Sequence, residues 1–328
     1  MNKRHLTEVD YRDRMLLIGS LSRPLLTSFA EPPNHQTAWL RSYLIHSRIA
    51  DLFPSTIQTA IEEYNCLPQR QIDFMIEYTS KLAFSQDCVY DVQKQAYLGA
   101  DISMSHFFQN LSRVEGHLIL FIHGYNNTDS EIIHRVHKIQ RALDLTCTTK
   151  YLVVPFEWHC SIHITEYRSD WRRAPEVARA LFEIFPFFGQ LKPSIIAHSM
   201  GNYILQLATQ HYLQSLSCPK PIWHKWFMVA ADVDDTIFLQ IPLAPTTVAS
   251  IIVICFSTTD RAIRVVSAAH QLAPRLGFRG LPETFLAAQT EKFVNHDCSE
   301  VVTADFFWRH GYVDSLQLYR VLHALELI

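Results

Sequence analysis

The chain is short of glycine, with 9 in 328 residues, and it has no low-complexity stretch or internal repeat. At 48% hydrophobic and 19% charged residues, it lacks the composition that keeps a chain disordered. Seven cysteines (66, 88, 147, 160, 218, 255 and 298) are scattered without a CxxC pair. Neither a disulfide framework nor a structural zinc site is therefore expected. Cys255, within Ile251–Phe256, reads as a small core hydrophobe, and the set reads as reduced thiols. No charge of one sign dominates: 29 Lys and Arg face 32 Asp and Glu. No basic stripe tracks a phosphate backbone, so nucleic acid is not expected as a partner.

Long apolar runs are missing too. None approaches the roughly 20 residues that span a bilayer. The first residues, MNKRH, lead into Glu8, Asp10, Arg12, Asp13 and Arg14, and the run Met15–Ile18 is too short for a signal peptide. The expectation is a cytoplasmic protein without a transmembrane segment. A chain of this length buries about three quarters of its unfolded surface and needs no covalent or metal staple.

Two regions differ in pattern. Up to about residue 112 the sequence reads as mostly helical, with Trp39, Leu40, Tyr43 and Leu44 on one stripe. Runs through Ile57, Ile61 and Tyr64 and through Ile72, Phe74, Met75, Tyr78 and Leu82 follow. Residues 1–112 are thus expected to form a helical extension or lid, with room for first strands near Met15–Ser20 or Asp87–Gln93. From 113 to 328 short continuous apolar runs occur: Leu118–Ile122, Tyr151–Pro155, Ile195–Ala197, Trp226–Ala230 and Ile251–Phe256. Such runs suit strands covered on both faces. Amphipathic stretches between them (Ser130–Leu143, Ala174–Phe187, Asn202–Leu216, Ala262–Leu272) predict an α/β domain with a mostly parallel sheet flanked by helices. A final helix over 316–325 closes the chain.

Chemistry concentrates at Ile195-Ile196-Ala197-His198-Ser199-Met200-Gly201. An apolar strand meets a helix at a small-x-Ser-x-small turn, the signature of a nucleophile elbow. Side chains two residues either side of the serine must be tiny there, and the strained turn lifts the hydroxyl above the sheet. The helix N-terminus offers free N–H groups to a developing oxyanion. An ordinary strand-to-helix turn also uses Ser and Gly, so the motif needs company.

It has company in Leu118–Ile122 followed by His123-Gly124-Tyr125-Asn126. An oxyanion hole draws one N–H from such a loop and one from the residue after the nucleophile, which points to Tyr125 and Met200. The acid and the base should follow the serine in that order. Asp260, in the loop after Ile251–Phe256, is the first choice for the acid; Asp234 and Asp232, after the preceding strand, are the rivals. Those not used are expected as helix caps. His310, in a loop before the last helix, is the first choice for the base, with His296 next. His270 and His323 fall within helical runs.

These segments together resemble a bacterial α/β-hydrolase family of unknown function. The resemblance rests on His123–Asn126, Phe156/Trp158, Tyr167/Asp170, His198–Gly201, Ala231–Asp234, Ser257–Ala262, Arg275/Gly277 and His310/Tyr312, in that order over roughly residues 115–315. It implies an α/β-hydrolase fold and a Ser199/Asp260/His310 triad. Ala231 stands where that family commonly has proline, and the N-terminal segment lies outside the resemblance.

Other signals weigh less. Of 17 histidines, His134/His137 and His159/His163 with Cys160 invite a metal reading, yet no HExxH or carboxylate completes a set, so no metal or cofactor is expected. His123, Gly124, Trp158, Tyr167 and His198 are candidates for the substrate pocket, with Trp171 beside them. The short interval between Ala231 and Ile251 leaves little room for a cap. The expected function is hydrolysis of a small or lipid-like carboxylic ester or thioester by a lipase-like serine esterase. The alternative is an inactive binding or regulatory module on the same scaffold.

Overall fold

The computed structural model describes residues 71–91, 96–215, 220–240, 247–267, 273–282, 285, 292–301 and 307–328. Among these residues nine strands form one sheet: β1 (Gln71–Tyr78), β2 (Leu82–Asp91), β3 (Ala96–Asp101), β4 (His117–Ile122), β5 (Tyr151–Trp158), β6 (Ser194–His198), β7 (Trp223–Val229), β8 (Ala249–Phe256) and β9 (Phe293–Asp297). Their spatial order is β3-β2-β1-β5-β4-β6-β7-β8-β9. β2 runs antiparallel to both its neighbours, and every other pairing is parallel.

Side-chain alternation along the central strands divides the core in two. Leu118, Leu120, Ile122, Val154, Phe156, Ile195, Trp226 and Ile252 point to one face. Ile119, Phe121, Val153, Ile196, Phe227 and Val253 point to the other. Both sets are buried, which is why these strands read as unbroken apolar runs. Helices α1 (Met104–Leu111), α3 (Tyr167–Glu183), α4 (Phe185–Leu191) and α5 (Met200–Ser215) cover the first face; α2 (Asp129–Thr146) and α6 (Leu316–Ala324) cover the second. The start of α2 is encoded locally. Thr128 accepts the Glu131 N–H, and Glu131 returns a 2.8 Å bond to the Thr128 N–H, with Asp129 and Glu131 complementing the helix dipole.

The expected helix through Ile72–Leu82 is corrected to strand. Phe74, Ile76 and Tyr78 join one core and Ile72 and Met75 the other. A strand buried on both faces carries apolar residues at nearly every position, and that density also satisfies a helical spacing. Tyr78 pairs with Leu82 across a tight hairpin, so among the described residues the sheet already begins at Gln71, within the segment expected to be mostly helical. The strand expected near Asp87–Gln93 is realised in β2 as far as Asp91. The helices expected around Trp39 and Ile57, the strand near Met15–Ser20 and His270 lie outside the described residues. No helix among the described residues is long and apolar enough to cross a membrane.

The chain order places the chemistry. β4 is flanked by β5 on one side and β6 on the other, and the connections leave on opposite faces, through α2 and through α3–α4. A crevice must open between the C-terminal ends of β4 and β6. Gly201 lets α5 start hard against β4: a Cβ there would lie 2.6 Å from the carbonyl oxygens of both Ile122 and His123. Backbone oxygens of a central strand cannot yield cheaply. Gly201→Ala is expected to lower the unfolding free energy by about 1–3 kcal/mol in urea titration.

Candidate active site

Ser199 links β6 to α5 at φ +53°, a left-handed conformation that costs a non-glycine residue energy. Neighbouring backbone holds it there. The Ser199 N–H donates to Val229 O (3.0 Å), and the Ser199 carbonyl accepts from the N–H groups of Asn202 (3.0 Å) and Asp232 (3.2 Å). Asn202 adds its side-chain amide, donated to Ala197 O at 2.7 Å and to Val229 O at 3.3 Å. On the β4 side, a Cβ on Gly124 would fall 2.7 Å from the Ser199 Cβ; only glycine admits this approach. Met200 opens α5, so its N–H is among those without an intrahelical acceptor.

The loop after β4 is clamped from beneath. The Gly124 carbonyl accepts from Asn127 Nδ2 (2.9 Å) and from His123 Nδ1 (2.7 Å), and the Tyr125 carbonyl accepts from Asn127 Nδ2 at 3.0 Å. In a planar trans peptide the N–H points opposite the carbonyl, so securing Gly124 O aims the Tyr125 N–H the other way. His123 is fully buried and stacks on Trp158, with ring centroids 5.2 Å apart. Its Nε2 accepts the Trp158 N–H (3.1 Å), and the Trp158 indole donates to His123 O (3.0 Å). Burial pushes the His123 pKa down to about 4.

Asp260 and His310 come together from loops 50 residues apart. Asp260, fully buried just beyond β8, accepts His310 Nδ1–H on Oδ2 at 2.7 Å and the Ile263 N–H on Oδ1 at 3.0 Å. With Nδ1 donating, Nε2 is the nitrogen that can take a proton. The same carboxylate thus caps the π-helical turn Ala262–Ser267 and orients the imidazole.

The rival groups have other partners. Asp234 Oδ1 accepts from Thr236 N and Oγ1, at 3.0 and 2.7 Å, as a turn cap. Asp232 is buried, with Oδ2 accepting from Tyr167 Oη at 2.5 Å and Oδ1 from Ser267 Oγ. Arg275 Nε lies 3.3 Å from Asp232 Oδ1 and 3.0 Å from Ser267 Oγ, and its guanidinium sits over Trp171, which stacks on Tyr203. Burial, then the Asp232 carboxylate, push the Tyr167 phenol up, so it stays a donor. His296 lies half-buried in β9 and His323 is exposed in α6.

A cleft of about 740 Å³, including its open mouth, unites these parts. Ser199, His198 and His310 line it with Tyr125, Asn126 and Asn127, and with Arg135, Tyr167, Asp232, Ile263, Ser267 and Trp308. Of the pocket candidates, Tyr167 and His198 face this space; His123 and Trp158 do not, standing behind the loop as its support. Sequence reasoning missed Asn127, Arg135 and Ser267. Asn127 carried a signal, a second asparagine next to the His-Gly-Tyr-Asn run; Arg135 and Ser267 carried none. No group of three or more His, Cys, Asp or Glu side chains among the described residues is arranged to hold a metal.

A parallel-rich sheet with a strained serine at its switch point and an Asp-His pair beside it is the architecture of the α/β hydrolases. Residues 101–324 match the family model described as alpha/beta hydrolase of unknown function (DUF900), and the chain belongs to that family. No match is found among curated proteins. Among solved structures, the chain is similar to an esterase from Pyrobaculum calidifontis at 8% identity and a TM-score of 0.41, covering 86% of this chain and 94% of the other. A likeness that slight bears no weight on chemistry.

Two outcomes follow. Asp232→Ala leaves Arg275 buried without its carboxylate and is expected to cost about 3–5 kcal/mol in denaturant unfolding. His123 has a folded pKa near 4 against an ordinary 6.5, so the folded state binds fewer protons than the unfolded one between these values. Its contribution to stability is complete above pH 6.5 and is lost as pH falls towards 4. NMR titration should find its ring neutral at pH 5.

Proposed function

We propose that this protein is a serine hydrolase of carboxylic esters or thioesters, with Ser199 as nucleophile, His310 as base and Asp260 as the group that orients it. The observation that carries this reading is the shared cleft: a serine at φ +53° and a carboxylate-bound imidazole line the same space.

In the proposed cycle His310 Nε2 takes the proton as Ser199 Oγ attacks the substrate carbonyl. Asp260 keeps Nδ1 protonated and stabilises the imidazolium that forms. The N–H groups of Met200 and Tyr125 receive the negative charge of the tetrahedral intermediate, each such donor contributing about 2.7–4 kcal/mol. His310 then protonates the leaving alcohol or thiol, and water activated by the same imidazole releases the acid. Asn127 supports the hole from behind by holding the carbonyls of Gly124 and Tyr125.

The test is covalent labelling. A fluorophosphonate probe should modify wild-type protein and leave Ser199→Ala unmodified, and turnover of a short-chain p-nitrophenyl ester should vanish in both Ser199→Ala and His310→Ala. Labelling that persists in Ser199→Ala would overturn the assignment. A folded wild-type chain that takes up no probe would favour the binding-module alternative.

A further inference from the structure

His198 precedes the proposed nucleophile and has no part in the cycle above. Its side chain is nevertheless buried at the meeting point of three segments. Nε2 lies 3.0 Å from the backbone carbonyl of His310. A carbonyl only accepts, so Nε2 carries the proton and donates. The two imidazoles stand 4.7 Å apart, centroid to centroid, at 44°. On its other edge, Nδ1 is buried without a hydrogen-bond partner and faces the loop after β4, 3.2 Å from where a Gly124 Cβ would stand.

The segment bearing His310 needs such a tie. It is held from the β8 side by Asp260, through Nδ1, and by the Arg261 N–H donated to Trp308 O at 2.8 Å. Arg309 stands at φ +53° and reaches Ser299 O with Nη2 at 3.0 Å. These bonds locate the base relative to β8 and the turn after β9. The bond from His198 reaches it from β6, out of the residue covalently joined to Ser199.

We propose that His198 is a positioning residue: its Nε2–H bond to the His310 carbonyl sets the placement of the base relative to the nucleophile. The inference rests on the serine-hydrolase reading above. A general base works only within hydrogen-bond reach of the proton it takes, and a misplacement of about 1 Å costs on the order of 100-fold in rate. Burial, reinforced by the neighbouring His310, holds the His198 pKa well below its ordinary value. A neutral ring at this point adds no charge against the imidazolium that forms on His310.

The test compares two full-length variants. His198→Phe keeps a ring and loses the donor; His198→Gln places an amide N–H near the same point. With a short-chain p-nitrophenyl ester, His198→Phe is expected to lose about 10- to 100-fold in kcat with KM within twofold of wild type. Its fluorophosphonate labelling should slow in parallel, with a circular dichroism spectrum like that of wild type, and His198→Gln should recover most of the rate. Wild-type kcat in His198→Phe, or no recovery in a folded His198→Gln, would overturn the proposal. If either variant fails to fold, the rate of the other against wild type decides on the same criterion. Failure of the parent reading has its own signature: wild-type turnover in His310→Ala, or no labelling of wild-type Ser199, removes both.

Discussion

One crowded bend governs this molecule. Ser199 turns the chain from β6 into α5 at a positive φ, and the bend exists only because β4 comes close enough to touch it. Gly201 seats α5 against the carbonyls at the end of β4, and Gly124 brings the next loop against the serine itself. The hydrogen bonds that Ser199 donates to Val229 and accepts from Asn202 and Asp232 tie the bend to β7, the loop after it and α5, so a locally costly conformation is paid for by its surroundings. A side chain at any of these contacts would separate the strand from the helix and release the strain.

The polar groups around the bend divide into support and chemistry. His123, Trp158 and Asn127 form a buried layer that fixes the orientation of the peptides after β4. Tyr167, Asp232, Ser267 and Arg275 form another, in which one carboxylate accepts from two hydroxyls and lies against a guanidinium. Buried networks of this kind contribute specificity of arrangement more than net stability, because each charge is desolvated before it is paired. Asp260 and His310 stand apart from both, in a pair that joins two loops 50 residues distant. This separation allows His310 to serve as the proposed proton acceptor, while burial holds the pKa of both His123 and His198 low.

Much of this was legible in the sequence, and the misses have physical reasons. Strands β4 to β8 were visible because burial on both faces writes a continuous apolar run. The same property hid β1, where Ile72, Phe74, Met75, Ile76 and Tyr78 also fit a helical stripe. Asp260 was preferred to Asp234 and Asp232 as the acid, but the rivals stayed open because both groups follow a strand at the same edge of the sheet. His123 and Trp158 looked like pocket residues because they stand at strand ends, but in the fold they pair with each other behind the loop.

The sequence alone determined the alternation of strand and helix, the elbow at Ser199, the glycines it requires and the capping of α2. All of these are dictated by neighbours within a few positions, through local sterics, local hydrogen bonds and the burial period. The tertiary structure alone decided which carboxylate meets which imidazole, that Asn127, Arg135 and Ser267 share a cleft, and that His198 grips a carbonyl 112 residues away. Such partnerships depend on the strand order of the sheet, and that order is settled by packing across the whole chain.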